Sequence, residues 1–400
     1  MEFNTRRVSS GMRFSIFYTI STTMNKRIYL DNAATTPLAK EVLEAMMPYL
    51  EEKFGNPSSI YSYGRETRLA IENARKSVAK IIHAHPSEIF FTSCGTESSN
   101  MAINASVREL GCRHIITSPI EHHATLYTAE YLAKTGAATL DFVKLTPDGH
   151  IDMADLEKLL EQKQEKCLVA LMHANNEIGN LLDVDVVSQL CQQHRAVFHC
   201  DTVQTVGHIP VDVSRTHFDF ITCSAHKFHG PKGIGFIYIH SGIRIQPYIH
   251  GGSQERNMRA GTENLYGIVG LAKALQLATE NMEEERTHIQ ELKNYMASEL
   301  KKHFPDIIFS GDTLGRSLYT VLSVGLPKND KTEMILMNFD IHNICVSSGS
   351  ACTSGADQGS HVIRAIHPGQ HIVPVRFSFS KYNTKEEIDT VIHTMKALMS

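Results

Sequence analysis

Lys227 stands just after an apolar run that reads as a buried strand, Phe218–Ser224, in the order Ser224-Ala225-His226-Lys227. Lysine rarely goes inside a protein without a partner or a task. Burial lowers its pKa and favours the neutral amine, which attacks an aldehyde to form a Schiff base. A surface lysine in a turn would give the same local pattern. The glycines that follow, Gly230, Gly233 and Gly235, permit tight turns and close backbone approach. They do not build a nucleotide P-loop, because its spacing of glycine, lysine and hydroxyl residue is absent.

Three other stretches carry residues able to do chemistry. Asp201 opens Asp201-Thr202-Val203-Gln204 at the end of the apolar run Ala196–Asp201. An acid there can pair with a pyridinium nitrogen, the partner that pyridoxal 5′-phosphate (PLP) needs to act as an electron sink. It can equally cap a helix. The run Thr92-Ser93-Cys94-Gly95-Thr96-Glu97-Ser98 joins a strand to a helix, where exposed amides suit a phosphate and where Thr96 and Ser98 could also be caps. Cys352 sits in Val346-Ser347-Ser348-Gly349-Ser350-Ala351-Cys352-Thr353-Ser354-Gly355. That composition predicts an exposed, mobile loop, and an accessible thiol becomes a nucleophile where its pKa is lowered.

The elements that must position these residues follow from periodicity. From Leu38 onward, short β-rich runs such as His114–Thr117, Cys167–His173 and Gly235–Ile239 alternate with helical stretches such as Thr96–Leu110 and Val184–His194. This predicts an α/β architecture with a mostly parallel sheet, whose ligands lie at the carboxyl ends of its strands. After Thr262 the texture changes to one long helical stretch, Leu265 to His303, and then to a compact unit of strands and helices. The expected division is an extension over 1–23, an N-terminal segment over 24–37 that joins the small domain, a large domain over 38–275, and a smaller α+β domain over 276–400 carrying the Cys352 loop. Residues 1–23 hold Arg6, Arg7 and Arg13 before an apolar stretch, and Met24 reads as a natural start, so they stay outside the fold argument.

Length and composition bound the rest. Four hundred residues, 42 % apolar and 20 % charged, suit a large domain plus a small one. A net charge of −4 offers no broad basic surface for nucleic acid, and no apolar run is long enough to cross a bilayer. The eight cysteines are scattered and form no CxxC pair, which points to a reducing cytoplasm rather than a disulfide framework. No metal site is expected.

Taken together and in order, these motifs resemble the NifS/IscS branch of the cysteine desulfurases, within the class V aminotransferase superfamily of fold-type I PLP enzymes. The likeness runs from Ile28-Tyr29-Leu30-Asp31-Asn32-Ala33-Ala34-Thr35-Thr36 to Val375-Arg376-Phe377-Ser378 and the final helix. It implies a role for each matching position. Lys227 resembles the lysine that carries PLP, Asp201 the acid on the pyridine nitrogen, and Gln204 the amide at the phenolic oxygen. His122, in Glu121-His122-His123-Ala124, resembles the histidine that stacks on the ring and assists proton transfer. Gly95, Thr96, Ser224 and His226 look like phosphate contacts, and Thr262 like the residue that reaches the phosphate of the neighbouring subunit. Asn176 and Arg376 are similar to the groups that hold the substrate carboxylate, and a planar guanidinium suits that task. Cys352 resembles the nucleophile that forms the persulfide.

The resemblance therefore implies conversion of L-cysteine to L-alanine in a homodimer, with sulfur passed from Cys352 to an acceptor such as an iron–sulfur scaffold protein. A selenocysteine lyase or a class V aminotransferase on the same scaffold is the alternative. Two departures stand out. Cys94 occupies a position where relatives often have glycine, and Lys381 ends a stretch that lacks the later arginine, leaving Arg376 alone there.

Overall fold

The computed structural model describes residues 27–349 and 359–399. Cys352 and the extension over 1–23 lie outside the described residues. Among the described residues twelve strands occur in chain order: β1 (Ile28–Tyr29), β2 (Ile89–Thr92), β3 (His114–Thr117), β4 (Thr139–Phe142), β5 (Cys167–Met172), β6 (Val197–Asp201), β7 (Phe220–Ser224), β8 (Gly235–Ile239), β9 (Ile308–Phe309), β10 (Val321–Pro327), β11 (Ile344–Cys345) and β12 (Ile372–Ser378).

Seven of them form one sheet in the order β2-β8-β7-β6-β5-β3-β4. Pairing is parallel from β7 through β6, β5 and β3 to β4, and β8 runs against both its neighbours. Apart from the edge strand β4, the sheet is buried on both faces, so its strands read as near-continuous apolar runs rather than alternating ones. Alternate side chains nevertheless part company. Cys167, Val169 and Leu171 of β5 enter one hydrophobic cluster, while Leu168 and Ala170 enter another. The second cluster is closed by Met101, Ile103 and Val107 of the helix Gly95–Arg108 and by Ala129 and Leu132 of the helix His123–Lys134. The first is covered by Val42 and Met46 of the helix Lys40–Glu51, Ile71 and Val78 of Ser62–Ile81, and Ile268, Leu271 and Leu275 of Leu265–Glu280. Each such side chain contributes roughly 1.5–3 kcal/mol when fully buried.

The long helical stretch expected over Leu265–His303 is two helices, Leu265–Glu280 and Met282–His303, which meet at Asn281. The break coincides with a change of partner. Ile289, Leu292, Met296 and Leu300 of the second helix pack in a separate cluster with Leu322 and Val324 of β10, Phe377 of β12, and Val391 and Met395 of the helix Lys385–Met399. Here β12, β10 and β9 form an antiparallel sheet of three strands. The chain's first described residues join this end. β1 pairs with β11 in parallel, Asp31 bridges to Ser378, and Ile28 and Leu30 sit in the same cluster.

Candidate active site

The parallel strands end together, and the loops that leave them surround a cavity of about 210 Å³. Asp201 is the last residue of β6, Ser224 the last of β7, and Lys227 closes a short 3-10 turn after it. Gly95 opens the helix that follows β2, His122 caps the helix that follows β3, and Asn176 lies in the turn after β5. Arg376 reaches the cavity from β12 of the three-stranded sheet. Of the residues singled out in the sequence, Gly95, Thr96, His122, Asn176, Asp201, Gln204, Ser224, His226, Lys227 and Arg376 all line it. Thr262 does not. It is exposed and borders a different recess, with Ser93, Gly233 and Arg259.

Lys227 turns inward, where its Nζ donates to the carbonyls of Ala33 at 2.5 Å and Ala34 at 3.0 Å. Gln204 donates to the same Ala33 carbonyl at 3.1 Å. The N-terminal segment thus forms a wall of the cavity. Asp201 is buried, and that burial raises its carboxyl pKa against the opposing pull of the Val203 amide and the Lys227 charge. A buried acid so placed is stabilised by a cationic partner. His122 accepts from the Ala124 amide through Nδ1, and burial, reinforced by the charge of Lys227, lowers its pKa to about 4. His226 is also pushed down to about 4, by burial first and Lys227 second, and its Nδ1 lies 3.1 Å from the Thr35 hydroxyl. Both imidazoles are neutral at neutral pH.

The helix Gly95–Arg108 begins without a side-chain cap at Cys94. Its first amides and the positive end of its dipole therefore face the cavity open to an anion. Gly95 is needed for shape: a Cβ there would meet Val203 Cγ2 at 2.5 Å. Cys94 in place of glycine carries no conformational cost, because its φ of −175° is extended backbone that any residue adopts.

At the opposite end, Arg376 is 2 % exposed, donating from Nη1 to the Asn176 carbonyl at 2.8 Å and from Nη2 to Asp31 Oδ1 at 2.6 Å. Its Nε has no hydrogen-bond partner among the described residues. Asp31 Oδ2 accepts from Ser347 Oγ at 2.8 Å. Lys381 points elsewhere and pairs with Glu285 at 2.7 Å. Sequence reasoning assigned no role to Asp31, Ala33 or Ala34, although an acid set in the run Leu30-Asp31-Asn32-Ala33-Ala34 was a signal of a special position. It also passed over Glu121, whose carboxyl accepts from Ser118 Oγ at 2.8 Å and is pushed by burial up to about 8.

A doubly covered sheet, an inward lysine beside a buried acid, and an uncapped helix N-terminus thus meet on one cavity at the carboxyl edge. The family profile of the class-V aminotransferases matches residues 28–391, and the chain belongs to that family. Within it the chain belongs with the cysteine desulfurases. It is 44 % identical over 387 residues to the cysteine desulfurase IscS of Dictyoglomus turgidum, covering 94 % of this chain and 95 % of that one. The IscS of Methanosarcina thermophila is 39 % identical, over 94 % and 93 %. Among solved structures, a NifS-like protein superposes with a TM-score of 0.86 at 37 % identity, covering 93 % of this chain and 99 % of the other. The apo cysteine desulfurase of Thermococcus onnurineus gives 0.83 at 28 % identity, over 94 % and 95 %.

Proposed function

We propose that this chain is a PLP-dependent cysteine desulfurase that converts L-cysteine to L-alanine and leaves the sulfur as a persulfide on Cys352. The observation that carries the reading is the placement of Lys227 and Asp201 on one cavity with an uncapped helix N-terminus. The donor set fits PLP. The amides of Gly95 and Thr96, with Ser224 and His226, would hold the phosphate, Asp201 the pyridine nitrogen, and Gln204 the phenolic oxygen. His122 would stack on the ring, and Lys227 would carry the aldehyde carbon. Bound there, PLP supplies an electron sink for charge that develops at the substrate Cα.

The chain's own residues do the remainder. Arg376 and Asn176 hold the substrate carboxylate, which fixes the Cα–H bond toward Lys227. The Lys227 amine, turned into the cavity, takes the proton at Cα. His122, held neutral in the resting site, adds no standing charge beside Lys227 and can donate through Nε2. The Cys352 thiolate then attacks the substrate sulfur. An S–S bond forms, the Cβ–S bond breaks with its electron pair left on carbon, and a proton takes the place of sulfur. The sum is L-cysteine plus a thiol giving L-alanine plus a persulfide.

Thr262, which does not line its own chain's cavity, is assigned to the partner subunit's phosphate in a homodimer. The persulfide is handed on to an acceptor or iron–sulfur scaffold protein in the cytoplasm. No helix among the described residues is long and apolar enough to cross a membrane. The test is an anaerobic reaction of PLP-loaded protein with L-cysteine and a reductant, following alanine and sulfide beside Cys352→Ala. Equal alanine and sulfide from wild type and neither from the variant supports the reading. Sulfide that persists in the variant overturns the role of Cys352, and no alanine from wild type overturns the desulfurase.

A further inference from the structure

The turn Asn175–Gly179 faces two ways. Asn175 pins it, donating to the Ile120 carbonyl at 2.8 Å and accepting from the amides of Glu177 at 2.8 Å and Ile178 at 3.1 Å. Asn176 lines the cavity, and its carbonyl receives Arg376. Glu177 does not line the cavity. It is 1 % exposed, and its Oε2 accepts a hydrogen bond from Ser360 Oγ. A Cβ placed on Gly349 would lie 2.6 Å from that same Oε2 and 3.1 Å from Ser360 Cβ. One carboxylate oxygen therefore lies against the residues on both sides of the segment that carries Cys352.

Other contacts hold the same two flanks. Ser347 is bonded to Asp31, the residue that also holds Arg376. Ser360 Oγ lies 3.1 Å from the Ile363 amide, which it caps, and His361 Nε2 is 2.9 Å from the Glu121 carbonyl. Burying a carboxylate costs stability unless its bonds repay it, and Glu177 Oε1 has no partner among the described residues. A group this expensive, on the turn that presents Asn176, calls for a task the cavity does not explain.

We infer that Glu177 is a positioning residue, which sets Gly349 and Ser360 against the Asn176 turn and so fixes where the Cys352 segment departs relative to the bound substrate carboxylate. This rests on the desulfurase reading above. A misplacement of about 1 Å in such a geometry costs on the order of 100-fold in rate. Substrate binding, in contrast, uses Arg376 and Asn176 and is untouched.

The test uses the full PLP-loaded chain with Glu177→Ala, Glu177→Gln, Ser360→Ala and Ser360→Thr. Single-turnover alanine formation, KM for L-cysteine, the change in cofactor absorbance on adding L-cysteine, and the iodoacetamide labelling rate of Cys352 are measured for each. Glu177→Ala and Ser360→Ala should slow alanine formation by about 10- to 100-fold and shift Cys352 labelling severalfold. Their KM and absorbance change should stay within about twofold, since the loss is in alignment and not in binding. Glu177→Gln keeps an acceptor and Ser360→Thr keeps the hydroxyl, so both should restore most of the rate. Turnover within twofold of wild type in both alanine variants, or a loss that appears equally in KM and absorbance, overturns the inference. If Glu177→Ala does not fold, the Ser360 pair decides. An absence of alanine from wild type overturns the desulfurase reading and the inference with it.

Discussion

The two ends of the cavity are built differently. At the seven-stranded sheet, each group sits within a few residues of a strand end: Asp201 closes β6, and Lys227 and His226 follow β7. At the three-stranded sheet, the groups meet from remote parts of the chain, with Arg376 donating to Asp31, 345 positions away, and to the Asn176 carbonyl, 200 positions away. The first end is built from strand ends on a rigid scaffold, with the N-terminal segment added as the wall that Lys227 and Gln204 contact. The second exists only when the N-terminal segment, the Asn176 turn and β12 have assembled. The first should therefore tolerate loosening of the fold and fail when a single side chain changes, whereas the second should lose substrate affinity and stability together.

The largest effect belongs to the local end. Lys227→Ala should lower alanine formation by about 10³-fold or more, since no other lysine among the described residues lines the cavity to move the proton. The chain should fold as before, because the lysine amine donates to two carbonyls that line the open cavity. Cofactor absorbance should lose the band of the lysine-bound form. A variant with normal folding and normal turnover would break the comparison at its strongest point.

Asp31→Asn probes the assembled end. It takes from the Arg376 guanidinium, 2 % exposed, the carboxylate it pairs with among the described residues. Removing one partner of a buried pair costs about 3–5 kcal/mol, and the 16 % exposure of Asp31 places this case at the lower limit. Urea unfolding should show that loss, and KM for L-cysteine should rise about 10-fold or more while cofactor absorbance in the resting protein is unchanged. A shift in absorbance without a rise in KM would mean that the two ends are one unit.

The same contrast explains what could be read from the sequence. Strand ends followed by Asp201, by Lys227 and by the Gly95 helix are local patterns, and the α/β alternation that positions them is carried by runs such as Cys167–Met172. The helix break at Asn281 was not legible, because helical periodicity continues through Met282–His303 and only the packing partner changes. The reversal of β8 was not legible either: Gly235–Ile239 has the same kind of apolar run as the parallel strands of the sheet, and direction is set by pairing. Asp31 and Glu177 stand beside residues that the motifs single out, yet their partners Arg376, Ser347 and Ser360 lie far along the chain. Spacing carries no information about such pairs.

Buried titratable groups make stability rise with pH at both ends, but in different pH windows. Beside and beneath the large sheet's edge, burial holds His122, His226 and His173 at about 4 and His199 at about 3. The unfolded chain takes up these protons near 6.5 while the folded chain refuses them, so this stability is full above pH 6.5 and falls as pH drops toward 4. Lys293, in the helix over the small sheet, donates to Ser317 Oγ at 2.8 Å and the Leu318 carbonyl at 3.0 Å, and burial lowers it to about 8. Between pH 8 and 10.5 the unfolded chain keeps a proton that the folded chain has released, so stability rises with pH in that window. His199→Leu should flatten the acid limb by an amount on the order of 1 kcal/mol, and Lys293→Met should flatten the alkaline one. Urea titrations at about pH 5, 7 and 9.5 measure both. Interchange of the two effects would show that the assignment of groups to ends is wrong.

The smallest effect comes from Thr262, which belongs to neither end of its own cavity. Its segment is fastened to the helix Gly95–Arg108 by Arg259, which donates to Glu97 at 2.9 and 3.2 Å, while Glu97 accepts from the Ser93 amide at 2.9 Å. Thr262 itself is exposed, so Thr262→Ala should leave the unfolding free energy of the chain unchanged. If its hydroxyl reaches the phosphate in a partner's cavity, its loss removes one charge-assisted hydrogen bond, equivalent to roughly a 10-fold weakening of PLP binding. That weakening should appear only at protein concentrations where sedimentation shows a dimer. An equal loss in the dissociated chain would return Thr262 to its own subunit and leave the cavity complete without a second copy.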